Sequence, residues 1–230
     1  MLDTRNFDIV RFISVLPLFS DLDEAEVLRL AGGCQLRRFE RDDMVFRMGE
    51  PCDSFHVVVV GQVKLFVLSP AGQEKVIELV APGGSFAEAL MFLGKPCMVN
   101  AQALADSLLL TVQRQAVLDE LQRDPRFALR MLAGLSRRLH GLVHDVQAYA
   151  LQSGVQRVIG YLLRDQGDNG GSEVVTVSLP ASKATVASRL SLTPEYFSRV
   201  LRELEQAGLI EIDKRDIRIL DVGRLAKYQG

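Results

Sequence analysis

Three side chains within five residues, Glu195, Ser198 and Arg199, are of the types that read a nucleic-acid base. A guanidinium pairs in a fork with guanine O6 and N7, a carboxylate accepts from cytosine N4, and a hydroxyl serves either a base or a phosphate. Each good forked pair discriminates by about 1–3 kcal/mol. Arg202 extends the same face, and Lys183, Arg189, Thr193, Lys214 and Arg215 complete the set of candidate DNA contacts. The competing reading takes Glu195 and Arg199, four apart, as a helical ion pair on a solvated face, worth a few tenths of a kcal/mol. The order of the surrounding elements weighs against it.

Those side chains need a rigid carrier, and the flanking sequence supplies one. Residues 182–190 predict a short helix, Ser191-Leu192 a tight turn, and Thr193-Pro194-Glu195 the start of a second helix. Thr193 can cap free amides, and Pro194 suits the first helical position, where no amide donor is missed. Phe197, Val200, Leu201 and Leu204 form the apolar face, and Gly208 fits the left-handed position that ends the helix. Residues 209–212 and 217–220 then flank the charged tip Asp213-Lys214-Arg215-Asp216, a β hairpin by pattern. The whole reads as a winged helix-turn-helix, with polar side chains crowding the first half of the second helix, where such motifs reach base edges.

The chain has 230 residues, 48% of them hydrophobic, and a formal net charge of -2. That composition excludes a disordered or collagen-like chain. From Pro180 onward there are 9 Lys plus Arg against 7 Asp plus Glu, and before it 18 against 22, so the C-terminal part is the less acidic. No apolar run reaches the roughly 18–20 residues of a membrane span. The opening residues lack the order of a secretory signal, and a cytoplasmic protein without a membrane partner is expected. Cys34, Cys52 and Cys97 are too scattered for a disulfide framework or a C-x-x-C motif, and read as buried reduced thiols. There is no Gly-rich phosphate loop, no H-E-x-x-H and no G-x-S-x-G, so an enzyme is not expected.

Upstream, residues 36–113 read as short strands separated by turns, the pattern of a β sandwich or barrel. Gly61-Gln62 has the spacing of a two-residue hairpin turn between Phe55–Val60 and Val63–Leu68, and Ser69–Gly72 carries a second hairpin. Phe86 to Phe92 has the apolar spacing of one short helix. The period then changes: Ala128, Leu132, Leu135, Leu139, Leu142, Val146 and Tyr149 alternate steps of four and three, a coiled-coil seam that predicts a homodimer. Gly154 suggests a hinge after that helix, and residues 167–172 an exposed loop.

These features together resemble the Crp/Fnr superfamily of bacterial transcription regulators. The likeness begins at Leu16-Pro17-Leu18-Phe19-Ser20-Asp21-Leu22, continues through Val45-Phe46-Arg47-Met48-Gly49-Glu50-Pro51 and Gly61-Gln62-Val63-Lys64-Leu65-Phe66, and ends at Leu192–Arg199. It implies an α+β chain with an N-terminal β jelly-roll sensor (1–115), a dimerisation helix (116–153) and a C-terminal winged helix-turn-helix (154–230). Double-stranded DNA, RNA polymerase and a second copy of the chain are the implied partners. The Glu-x-x-Ser-Arg pattern at Glu195, Ser198 and Arg199 matches Fnr-type readers of TTGAT half-sites.

For the sensor, the resemblance compares two pairs of positions. Members that bind cyclic AMP carry Gly-Glu before the short helix and Arg-Ser after it, whereas this chain has Ala87-Glu88 and Cys97-Met98. A cyclic phosphate would meet no cation there, so cyclic AMP is not expected. Three cysteines cannot hold a four-cysteine iron–sulfur cluster. What remains is most like the Dnr/Nnr branch, thought to sense nitric oxide through heme, with the likeness strongest in Phe86–Phe92. A pocket between the β domain and the long helix would draw on Phe86, Glu88, Met91, Phe92, Cys97, Met98, Leu132 and Leu135. His56, His140 and His144 are the possible axial ligands, although His140 and His144 fall off the seam, on outward-facing positions, and read as solvated side chains before ligands. The alternative is a sensor of the same fold with another effector, cyclic nucleotides included, that acts through protein contacts.

Overall fold

A computed structural model of the chain describes residues 7–16, 19, 22–163 and 174–228, the side chains of residues 134, 137, 138, 141, 144, 145 and 148–150 excepted. The chain divides into two compact units, Met1–His140 and Gly141–Gly230. No helix among the described residues is long and apolar enough to cross a membrane.

Among the described residues, the first unit holds eight strands: β1 (Cys34–Phe39), β2 (Met44–Phe46), β3 (Ser54–Val60), β4 (Val63–Leu68), β5 (Glu74–Val80), β6 (Ser85–Phe86), β7 (Asn100–Ala103) and β8 (Ser107–Gln113). They form two antiparallel sheets in the orders β1-β8-β3-β6 and β2-β7-β4-β5. Phe55, Val57, Leu109 and Leu110 from one sheet and Val63, Val80, Ala101 and Ala103 from the other lie in a single core cluster. Full burial of side chains such as Phe55 and Leu110 stabilises the unit by roughly 1.5–3 kcal/mol each.

Gly61-Gln62 is not the hairpin turn its spacing suggests. β3 and β4 belong to different sheets, so these residues carry the chain from one sheet to the other. Gly61 does have φ +88, and a Cβ there would sit 2.2 Å from Ser107 Oγ, so both the backbone angle and the close approach of β8 require glycine. The Ser69–Gly72 hairpin forms as expected, joining the paired strands β4 and β5.

Helices α1 (Ile9–Ser14), α2 (Glu24–Gly32), α3 (Glu88–Leu93), α4 (Arg114–Arg123) and α5 (Pro125–Leu151) complete this part of the chain. α2 opens with a capping box between Asp23 and Glu26. The Glu26 carboxylate also accepts from Arg130 (2.8 Å), and Arg29 makes a two-pronged contact with Glu120 (2.7 and 2.9 Å), tying α2 to α5 and α4. Segment 116–153, expected as one helix, contains a break at Asp124, whose carboxylate accepts from the Arg126 amide at the start of α5. Hydrogen bonds from Arg126 hold that carboxyl down at about 2. On α5, Phe127 and Met131 are buried in the β core, and Phe127 stacks on Phe19. The seam residues Leu132, Leu139, Leu142 and Val146 are exposed in the single chain, Leu135 and Ala128 are half-buried, and the Tyr149 side chain lies outside the described residues.

The second unit holds α6 (Gly154–Leu163), β9 (Val175–Ser178), α7 (Lys183–Arg189), α8 (Pro194–Gln206), β10 (Ile210–Asp213), β11 (Asp216–Ile219) and α9 (Val222–Ala226). Its core includes Val158, Leu162, Val186, Phe197, Leu201, Ile217 and Leu225. The segment 167–172, expected as a loop, lies outside the described residues. Between α5 and α6 the helix breaks at Gln152-Ser153, where Ser153 and Gln156 cap one another's amides.

Candidate nucleic-acid interface

Each turn of the second unit is fixed by a named local contact. Ser182 caps α7 by accepting from the Thr185 amide (3.1 Å). The Leu192 amide donates to Ala187 O (2.9 Å) across the turn, where Ser191 takes φ +56. Thr193 then caps α8, accepting from the Tyr196 amide (3.2 Å), and Pro194 occupies the first turn. At the far end Gly208 adopts φ +65, and the Leu209 amide donates to Leu204 O, closing the helix as the sequence predicts.

α8 is two-faced. Phe197, Val200, Leu201 and Leu204 are buried, while Glu195, Arg199 and Arg202 are exposed and Ser198 is half-buried. The Arg199 guanidinium lies 4.7 Å from the centroid of the Tyr196 ring, so it stacks on that ring rather than pairing with Glu195. A stacked guanidinium keeps its N–H groups in the plane of the fork, available for a second partner.

Among the other candidate contacts, Thr193 is exposed with its hydroxyl engaged in capping, and Lys183 is half-buried. Arg189 departs from the expectation. It is 7% exposed, because it follows Val186 by three residues and so shares the inward face of α7. Its guanidinium belongs to the interior of the motif rather than to a free DNA-facing surface. Lys214 and Arg215 form the exposed two-residue tip between β10 and β11, Lys214 at φ +55. The wing has three strands, in the order β10-β11-β9, not the two expected. β9 was legible in the β-branched run Val174-Val175-Thr176-Val177.

One structural residue gave no signal in the sequence. Arg157 of α6 donates from Nη1 to Leu190 O (2.7 Å) and Ser191 O (3.4 Å), pinning the turn between α7 and α8. Its partners are backbone carbonyls more than thirty residues away. Tyr228 likewise donates to Glu203 Oε1 (3.0 Å), fixing the chain after α9 to α8.

The candidate sensor residues do not share one environment. Phe86, Met91 and Cys97 are core side chains, Glu88 is buried and accepts from Ser85 Oγ, Phe92 and Leu135 are half-buried, and Met98 and Leu132 are exposed. Phe86 and Met91 have no exposed surface, so in this conformation they face no space large enough for water. α3 starts at Glu88, with Phe86 in β6 and Ala87 at φ +75. His56 is enclosed by Phe46 (5.9 Å) and Phe86 (5.1 Å) with Nδ1 against Thr111 Oγ1 (3.0 Å), and burial pulls its pKa down to about 4. His140 is exposed, and the His144 side chain lies outside the described residues. This arrangement does not fit an open heme site: His56, the one buried histidine among the described side chains, is sealed among aromatic rings. Burial also pushes the Cys34 and Cys97 thiols up to about 12 and raises that of Cys52, which suits inert core thiols.

Comparison with known proteins agrees with this division. Residues 36–124 match the family described as cyclic nucleotide-binding domain, and residues 156–228 the Crp-like helix-turn-helix domain. The chain is 24% identical over 214 residues to the CRP-like cAMP-activated global transcriptional regulator of Mycobacterium tuberculosis, covering 91% of this chain and 95% of that one. The crystal structure of DNR from Pseudomonas aeruginosa is 36% identical with a TM-score of 0.53, covering 96% of this chain and 98% of that one. FixK2 from Bradyrhizobium japonicum, at 21% identity, shares the fold with a TM-score of 0.74 over 86% of this chain and 98% of its own.

Proposed function

The chain belongs to the Crp/Fnr family of transcription regulators, with a cyclic-nucleotide-binding-like sensor domain and a DNA-binding helix-turn-helix, and on that footing we propose how it reads DNA and what controls it. It acts as a homodimer that lays α8 of each copy into successive major grooves of an inverted repeat with TTGAT-type half-sites. The observation that carries this reading is the face of α8, where Glu195, Ser198, Arg199 and Arg202 line up opposite a buried apolar face. Arg199 takes the guanine, Glu195 the opposing cytosine edge, and Lys214 and Arg215 of the wing tip meet phosphate.

The exposed stripe Leu132, Leu139, Leu142 and Val146 supports the homodimer, since a heptad of exposed aliphatic residues is the surface a second copy covers. Leu139→Glu places a charge in that seam. Sedimentation of the full chain should then show a monomer that has lost its affinity for the repeat, while its circular dichroism is unchanged. A charged variant that stays dimeric would refute the assigned seam.

Control comes from a small effector in the sensor domain, with heme and nitric oxide the favoured pair and cyclic AMP disfavoured. The chemistry at Cys97 and Met98, a buried thiol and an exposed thioether where a cyclic phosphate would need a cation, counts against cyclic AMP, while heme and nitric oxide rest on the likeness to the Dnr/Nnr branch. Because His56 is sealed in the described conformation, binding has to reopen the surroundings of α3. A hemin titration of the purified protein, followed by nitric oxide, tests it: a defined absorption band that shifts with the gas is expected, and a featureless spectrum would remove heme and nitric oxide from the account. RNA polymerase is the implied downstream partner, and the chain itself performs no catalysis.

A further inference from the structure

Resting on the reading of Arg199 as the guanine contact, we propose that Tyr196 is a positioning residue for base recognition, and that Gly154 at the start of α6 is glycine in order to seat it. Gly154 takes no left-handed angle, so backbone freedom does not account for it. Space does: a Cβ at Gly154 would lie 2.5 Å from Tyr196 Cε1 and 2.7 Å from its hydroxyl oxygen, closer than carbon atoms pack. The hydroxyl end of the ring therefore occupies the space that a side chain at position 154 would need. The Arg199 guanidinium rests on the ring, 4.7 Å from its centroid.

This stack does two physical things. It removes rotamer freedom from a long side chain before DNA arrives, so less entropy is lost on contact. It also uses the face of the guanidinium and spares the in-plane N–H fork that guanine requires. Ser153 and Gln156, capping each other across the α5–α6 break, hold the backbone on which the ring sits. Gly154, marked in the sequence as a hinge, thus reaches the reading arginine through a single aromatic ring. A shift of the α6 start moves the ring, and the ring moves the fork.

The test measures binding of the full chain to three duplexes: an inverted repeat of TTGAT half-sites, the same repeat with each G·C pair replaced by A·T, and a random sequence. Tyr196→Leu should lower the preference for the guanine-containing repeat about two- to five-fold, the size of an exposed cation–π contact. Its affinity for random DNA should not change. Tyr196→Phe should retain the preference, since the ring and not the hydroxyl is used. Gly154→Ala should lower the preference as Tyr196→Leu does, and the double variant should lose no more than either alone. Two results would overturn the inference alone: Tyr196→Leu keeping full preference while Arg199→Ala loses it, or Tyr196→Leu weakening all three duplexes equally. Retention of the guanine preference by Arg199→Ala would instead overturn the underlying reading, and this inference with it.

Discussion

On α8 Glu195, Arg199 and Arg202 stand exposed on one face, with Ser198 half-buried beside them, while the reverse is buried, whereas in the β unit His56, Glu88 and all three cysteines are withdrawn from solvent. The first arrangement is a surface finished before its ligand arrives. Its groups are held by helix caps and a packed back, so a duplex finds them in place. The second is closed, and its histidine and thiols are neutral: the His56 imidazole is uncharged at physiological pH, and the thiols are held far from thiolate. The contrast teaches that a reader of DNA needs rigidity and exposed charge, while a sensor domain with a closed interior must rearrange before it takes any effector there.

The largest effect that sharpens the comparison lies in the core of the reading unit. Phe197→Ala removes a fully buried ring and should destabilise that unit by about 3–5 kcal/mol, seen as loss of DNA binding and an earlier thermal transition. Because Phe197 has no part in the β core, the transition of the sensor unit should stay where it is. A shift of both transitions together would break the separation of the two units.

The next prediction probes the closed interior of the sensor. Unfolded His56 takes a proton near pH 6.5, but the folded state refuses it until about pH 4. Between those values the unfolded chain binds more protons, so stability falls as pH drops and is regained as pH rises. The slope from this residue approaches about 1.4 kcal/mol per pH unit within the window. Urea unfolding of the wild type and His56→Gln across that range checks it, and parallel curves for the two proteins would contradict a buried neutral imidazole. The smallest effect concerns the cap of α8: Thr193→Ala should cost about 1 kcal/mol of stability in the reading unit, measured as a lower urea midpoint, with base preference unchanged.

How much of this was legible in the sequence follows from how local each signal is. The cap at Thr193, the proline at position 194, the apolar spacing of α8 and the left-handed Gly208 all lie within sixteen residues, and each appears as read. The jelly-roll strands were legible as a class but not as a topology. Gly61 carries the positive φ a turn residue needs, yet what distinguishes a hairpin from a crossover is which strand lies beside it, and that is set by Ser107, which accepts from the Gln62 amide forty-five residues before it. β7 escaped notice because Asn100-Ala101-Gln102-Ala103 has no β-branched residue. It is a strand by pairing with β2 and β4, its alanines small enough for a tight core and its amides bonded to Met48 N and Asp42 O. Arg189 was judged by its type, and the helix turned it inward. The candidate sensor residues were the least legible as a group, since Phe86, Met91 and Cys97 are core side chains while Met98 and Leu132 are exposed.

The account stands on α8 as a reader of bases, and selection of duplexes from a random library by the full-length protein tests that most directly. The wild type should enrich an inverted repeat of TTGAT-like half-sites with centres about one helical turn apart, and Arg199→Ala should enrich repeats in which the guanine position has become indifferent. Enrichment of no repeat, or of the same guanine-containing repeat by both proteins, would contradict it.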